Sequence, residues 1–222
     1  MPGLFSRNYA GCRFPNRAGL FLDRDGVIVE EINYLHDPRD LRFIPNVLAA
    51  IAHVNRLGIP VVMVTNQAGI GRGYFGWNDF HDLQDCILVQ AAKEGAHFDM
   101  VLACAYHAEG QEPYAIANHP WRKPNPGMIL EAAAALSIDL SRSFIIGDCL
   151  TDLAAGSAAG VAGGALVATG HGMRDWNATG QAAFTRWQAE GHFMPRRAAD
   201  AALAIHDWLE TQPEGTGAGS AS

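Results

Sequence analysis

Four short stations along the chain carry residue types suited to phosphate and a hard cation. They are Asp23-Arg24-Asp25-Gly26, Thr65-Asn66-Gln67, Arg122-Lys123-Pro124, and Gly147-Asp148 followed by Asp152. A carboxylate can attack phosphorus to form an aspartyl-phosphate, which splits one difficult hydrolysis into two easier displacements. Asp23 is the candidate nucleophile. Asp25, two residues on, lies on the same side of an extended chain and can act as general acid and then as base. Magnesium held by Asp23, the backbone carbonyl of Asp25 and Asp148 would neutralise charge on both nucleophile and phosphate. The Thr65 hydroxyl and the Asn66 N–H are candidates to hold phosphate oxygens, and Lys123 to balance charge in the transition state. Asp152 is the candidate to orient Lys123 or a magnesium-bound water.

Each station alone has a plainer reading. Asp-Gly makes bends, Thr and Asn end strands, a lysine before proline is a solvated loop charge, and Gly147-Asp148 can be a strand exit with a helix cap. Joint occurrence, in order along one chain, favours phosphoryl transfer.

The elements that must position these residues alternate. Apolar runs at Gly19 to Leu22, Ile59 to Val64 and Ser143 to Ile146 each end in turn chemistry, so the stations gather at one sheet edge. That edge is where open α/β sheets bind ligands. Helical spacing is expected from Pro45 to Leu57, Trp77 to Lys93, Pro126 to Ala135 and Thr151 to Ala159, with further strands at Phe98 to Ala103 and Ala165 to Ala168. Strand and helix in alternation predict an α/β fold, a parallel sheet with helices on both faces. Residues 173 to 197 carry Trp176, Phe184, Trp187 and Phe193 without a clear period and read only as a covering segment. Ala198 to Glu210 reads as a terminal helix with Leu203, Ile205, Trp208 and Leu209 available for docking. The Gly/Ser/Ala-rich residues from 211 to 222 read as a disordered tail.

Composition sets limits. A chain of 222 residues, 49% of them hydrophobic, can bury a full core. A net charge of −7 argues against a general binder of nucleic acid or anionic membrane. No leader pattern opens the chain and no apolar stretch reaches about 18 residues, so a cytoplasmic protein is expected. Cys12, Cys86, Cys104 and Cys149 are scattered, which favours reduced thiols.

The order DRDGV, VTNQAGIGRG, RKPNPGM and IIGD with Asp152 resembles the haloacid dehalogenase superfamily of phosphatases. It is most similar to the branch of D-glycero-D-manno-heptose 1,7-bisphosphate and histidinol-phosphate phosphatases. The motifs span Gly19 to Gly170, roughly two thirds of the chain. The resemblance implies a Rossmann-like core over residues 19–172, preceded by an N-terminal extension of residues 1–18 and followed by a C-terminal segment at 173–210. It implies the nucleophile and acid/base roles for Asp23 and Asp25, and magnesium ligation by Asp23, Asp25 and Asp148. It also implies phosphate or substrate contacts from Thr65, Asn66, Arg122 and Lys123. In relatives the segment from Glu31 through Asn33 to Tyr34 touches substrate, and Arg24, Gln67 and Arg72 complete the candidate contacts. The expected substrate is a small phosphate ester, with the heptose bisphosphate ahead of histidinol phosphate or another sugar phosphate. A catalytically weak partner-binding protein is the alternative of another class. The spacing between motifs leaves no room for a cap domain, so the site is expected to be open; a monomer is the expected state.

Two departures stand out. Relatives often fold the loop before Arg122-Lys123-Pro124 around zinc, but the matching positions here are Cys104, Tyr106, His119 and Trp121. Tyr106 and Trp121 cannot complete a tetrahedral site. Cys104, His107 and His119 offer a three-ligand alternative for Zn²⁺; the preferred reading is a loop held by packing, with zinc lost. The second departure is Cys149, where relatives often carry lysine.

Overall fold

A computed structural model describes residues 2–212. The tail expected from 211 onward therefore lies, beyond Thr211 and Gln212, outside the described residues. Seven strands form one sheet. In chain order they are β1 (Leu4–Asn8), β2 (Leu20–Leu22), β3 (Val61–Asn66), β4 (Met100–Cys104), β5 (Phe144–Gly147), β6 (Gly163–Val167) and β7 (Met194–Ala198). Their order across the sheet is β1-β4-β3-β2-β5-β6-β7, parallel throughout except for β1, which runs antiparallel to β4. The three-residue β2 is central. Its Leu20 pairs with Val61 on one side and Phe144 on the other.

The principal helices are α1 (Val47–Arg56), α2 (Ala68–Gly71), α3 (Trp77–Lys93), α4 (Gly127–Leu136), α5 (Leu150–Ala159), α6 (Gly172–Asp175), α7 (Gln181–Glu190) and α8 (Ala201–Glu210). Strand side chains alternate between the two faces, which explains why the strands read as unbroken apolar runs. Leu20, Leu22, Val61, Met63, Phe144, Ile146 and Val167 pack with α1, α3 and α8. Phe21, Val62, Val64, Ile145 and Leu166 pack with α4, α5 and α7. Phe21 and Ile51 are fully buried on these two faces. Burial of that size stabilises the fold by about 1.5–3 kcal/mol per side chain.

The expected helices and strands from Pro45 to Ala159 are present within two residues at each end. Three elements differ. The glycine-rich segment after β3 closes into the short α2 instead of staying an open loop. Strand β6 starts earlier than the apolar pattern indicated, because Gly163 and Gly164 bring no side chain to signal a strand. The segment at 173–197 holds α6, a π-helical turn at Trp176–Gly180, α7 and the edge strand β7. Its Phe184, Trp187 and Phe193 are buried against α5 and the sheet. In α8 the buried stripe is Ala201, Ala204, Ile205 and Trp208, at helical spacing, and Trp208 stacks on Phe144 with ring centroids 5.6 Å apart. Leu203 lies off that stripe and is exposed. Among the described residues no helix is long and apolar enough to cross a membrane.

Candidate active site

Register places the stations side by side. Leu22 pairs with Met63 and Ile146, so β2 ends between β3 and β5, and the Asp23 N–H donates to the Ile146 carbonyl at 3.0 Å. Asp23 leaves the central strand, Thr65 and Asn66 finish β3, and Asp148 follows β5. All face the carboxyl end of the parallel strands.

Lys123 reaches this edge from a loop and is 3% exposed. Its ammonium lies 2.9 Å from Asp23 Oδ1 and 2.7 Å from Asp152 Oδ1, and it donates to the Val64 carbonyl at 2.8 Å. Burial alone would lower its pKa, but Asp152 and Asp23 outweigh that and hold it above the usual lysine value. Lys123 is therefore a fixed cation. Asp152 faces it from the first turn of α5, where its other oxygen accepts the Cys149 N–H at 2.9 Å. Asp23 is pushed well up from the usual carboxylate range by burial, with repulsion from Asp152, Asp148 and Asp25 adding to it and Lys123 opposing.

Asp25 is held differently. Arg24, 1% exposed, donates through Nε to Asp25 Oδ1 and through Nη2 to Oδ2, each at 3.0 Å, and also through Nη2 to the Leu35 carbonyl at 3.2 Å. Arg24 was expected to touch substrate; its guanidinium is instead buried over the Phe80 ring, where it holds Asp25. Gln67, also expected at the substrate, is 4% exposed and donates to Asp25 Oδ2 at 3.1 Å and Thr65 Oγ1 at 2.9 Å. Asn66 grips the main chain of Lys123.

Asp148 is the carboxylate without a cation. Among the described residues no ammonium or guanidinium pairs with it, and its Oδ2 accepts the His171 N–H at 2.7 Å. Burial first, and then the Asp152 charge, push its carboxyl up to about 6. Gly26, at φ 76°, and Gly170, at φ 56°, close around it; a methyl group at Gly26 would sit 2.5 Å from Asp148 Oδ2. Ligand atoms of Asp148, Cys149 and Asp152 lie within 4.8 Å of one another; the two carboxylates of that set have the chemistry of a hard divalent cation site. The side chains of Asp23, Asp25 and Asp148 do not all lie within 4.8 Å of one another, and both Asp25 oxygens accept from Arg24. This agrees with the expectation that Asp25 would offer a metal its main-chain carbonyl and not its carboxylate.

The rim is built from loops. Arg72 donates to the Tyr34 hydroxyl and to Glu109 Oε2, both at 2.7 Å, and its Nη2 lies 3.3 Å from His107 Nε2. Tyr34 also meets Tyr74 edge-on at 4.8 Å. Arg122 donates to the Tyr106 carbonyl at 3.0 Å, and its pKa is lowered by burial and by the nearby Arg72 charge. Tyr34, Arg72 and Arg122 thus form one cationic, aromatic rim. Glu31 is brought close to Asp25 and His171 and its carboxyl is raised, mainly by burial; it accepts the Asn33 N–H at 2.6 Å. Among the described residues the Asn33 side chain makes no hydrogen bond; only its main-chain N–H is engaged.

The three-ligand zinc alternative is not formed. Among the described residues the ligand atoms of Cys104, His107 and His119 do not all lie within 4.8 Å of one another. Cys104 is buried on β4 and its thiol is pushed up to about 11, mainly by burial. The Nδ1 atoms of His107 and His119 accept the N–H groups of Glu109 and Trp121, at 3.0 and 3.1 Å. His119 stacks on Tyr106 at 4.3 Å, so the loop is held by packing and main-chain bonds.

Sequence reasoning missed Thr169, Gly170 and His171. Thr169 Oγ1 donates to the Gly26 carbonyl at 2.5 Å and the His171 N–H to Asp148, which ties the exit of β6 to the first and fourth stations. The run Thr169-Gly170-His171 after an apolar strand was the available signal. Glu109 was missed for want of any.

A central-strand aspartate, a second aspartate two residues on, a hydroxyl near the end of the neighbouring strand, and a lysine–aspartate pair beside them suit phosphoester hydrolysis. The HAD-hydrolase-like family model matches residues 120–190. A D-glycero-beta-D-manno-heptose-1,7-bisphosphate 7-phosphatase of Mesorhizobium japonicum is 52% identical over 167 residues, 75% of this chain and 77% of the relative. The crystal structure of a HAD-like phosphatase from Mesorhizobium loti superposes with a TM-score of 0.79 at 43% identity, covering 95% of this chain and 93% of that one. The D,D-heptose 1,7-bisphosphate phosphatase of B. bronchiseptica, complexed with magnesium and phosphate, gives 0.71 at 29% identity, covering 87% and 99%. The chain belongs to the phosphatases of the haloacid dehalogenase superfamily, in the branch that contains these relatives.

Proposed function

We propose that this chain hydrolyses the 7-phosphate of D-glycero-β-D-manno-heptose 1,7-bisphosphate through an aspartyl-phosphate on Asp23. The observation that carries the chemistry is the half-buried Asp23 that follows β2, 2.9 Å from the Lys123 ammonium. The name of the 52% identical relative supports the substrate. So does the rim, where Arg72 and Arg122 offer two guanidinium groups to a second phosphate, with Tyr34 beside them.

In this reading an Asp23 oxygen attacks phosphorus and the bond from phosphorus to the sugar oxygen breaks. A proton on Asp25 passes to that leaving oxygen. Asp25 then takes a proton from water as the water attacks phosphorus, and Asp23 is freed with release of inorganic phosphate. The Thr65 hydroxyl and Asn66 N–H hold phosphate oxygens, while Lys123 balances their charge. Asp23, Asp148 and the Asp25 carbonyl would hold Mg²⁺, which supplies charge neutralisation on nucleophile and phosphate when bound. The B. bronchiseptica enzyme, complexed with magnesium, supports that choice.

The free thiols of Cys12, Cys86, Cys104 and Cys149 suit the cytoplasm. Phosphate release should be followed on α and β heptose bisphosphates, histidinol phosphate and simple sugar phosphates, with magnesium and with chelator. Magnesium-dependent turnover concentrated on the β-heptose bisphosphate is expected. Turnover concentrated on another ester would overturn the substrate, and no turnover at all would overturn the hydrolysis.

A further inference from the structure

We infer that Gln67 is a positioning residue that sets the orientation of Asp25 and Thr65 together; this rests on the phosphatase reading above. Its side-chain nitrogen has two hydrogens. One is directed at Asp25 Oδ2, 3.1 Å away, and the other at Thr65 Oγ1, 2.9 Å away. Because Thr65 accepts from Gln67, the hydroxyl's own hydrogen is turned elsewhere and is left to donate to a phosphate oxygen. Arg24 donates to both Asp25 oxygens and shares Oδ2 with Gln67, so the two residues together fix the carboxylate.

Gln67 is itself anchored. Its main-chain N–H donates to the Cys104 carbonyl at 2.7 Å, which ties it to the end of β4, and its side chain is 4% exposed. One buried amide thus couples the group that handles the proton to the hydroxyl that holds the phosphate. A residue that only filled this space would need no N–H groups.

That contrast supplies the test. Gln67→Met keeps the length and fill of the side chain but removes both donors; Gln67→Glu keeps the shape and turns an oxygen toward Asp25. In steady-state kinetics with magnesium, the Met variant is expected to lose about 10–100-fold in kcat with KM within about threefold. The Glu variant should lose more. A Met variant that keeps kcat within about threefold, or loses only through KM, would overturn the inference and leave the phosphatase intact. If the wild type releases no phosphate, the phosphatase reading itself falls. The inference is then decided by binding of magnesium and beryllium trifluoride, a mimic of the phosphorylated aspartate. Weaker binding by the Met variant supports it; equal binding, or none by the wild type, overturns it.

Discussion

The side chain of Asn66 holds the backbone of Lys123 from both sides. Its Nδ2 donates to the Lys123 carbonyl and its Oδ1 accepts the Lys123 N–H, each at 3.1 Å. The end of β3 thereby fixes a loop residue 57 positions away in sequence, and the ammonium it carries is presented to Asp23 and Asp152. Asn66→Ala should cost about 1–3 kcal/mol of stability, the net worth of two hydrogen bonds. It should also lower kcat/KM by roughly 10–100-fold, since the ammonium loses its support. Urea denaturation together with initial rates checks both; unchanged rates would mean that the loop holds Lys123 without Asn66.

Removing the ammonium should be worse than removing the grip. Lys123→Met leaves Asp23 and Asp152 facing each other with no cation, and a broken buried pair costs about 3–5 kcal/mol. Adding Asp152→Asn should recover part of that stability and none of the activity. A double-mutant cycle reads the coupling, and strict additivity in stability would contradict the pairing seen at 2.7 Å.

Asp23→Asn should abolish phosphate release while leaving the fold intact. The change keeps side-chain volume at the end of β2 and removes one of four mutually repelling carboxylates. Circular dichroism and thermal melting should match the wild type within a few degrees. Turnover retained in this variant would exclude the aspartyl-phosphate.

Protein purified without chelator should carry well under one zinc per chain by elemental analysis. Removal of magnesium should abolish activity, and removal of zinc should not change it. Stoichiometric zinc bound through Cys104 would require a loop rearrangement absent here.

Cys104 also predicts an alkaline limit. Its folded pKa, about 11, lies above the ordinary thiol value of 9.0, so between those two values the native state binds more protons than the unfolded one. Stability from this group is fully present below pH 9.0 and falls as pH rises toward about 11, by about 2–3 kcal/mol in total. Cys104→Ala should flatten that part of the stability profile, measured by urea denaturation from pH 8 to 11. A flat profile in the wild type would count against the burial.

Much of this was legible from residue types and spacing alone. Uninterrupted apolar runs such as Val61 to Val64 must be buried on both faces, which demands helices above and below, and a parallel sheet exposes its ligand edge where each run ends. Asp23, Thr65 and Asp148 each follow such a run, so their neighbourhood at one edge is a consequence of topology. The edge strands β1 and β7 were not legible: Leu4–Asn8 and Met194–Ala198 are half-exposed or exposed at most positions and carry no strong alternation.

The sequence by itself determined the α/β class, the order of the core elements and the set of groups delivered to the site. Only the tertiary structure decided which of those groups pair. Arg24 turns inward to Asp25, Gln67 bridges Asp25 and Thr65, Asn66 seizes Lys123, and His171 caps Asp148. The loop that was a zinc candidate is closed by a stacked Tyr106 and His119. The physical reason is range. Hydrophobic periodicity is local and non-directional, so it is written in neighbouring residues, whereas a buried hydrogen bond depends on ångström-scale distance and angle between segments far apart in the chain.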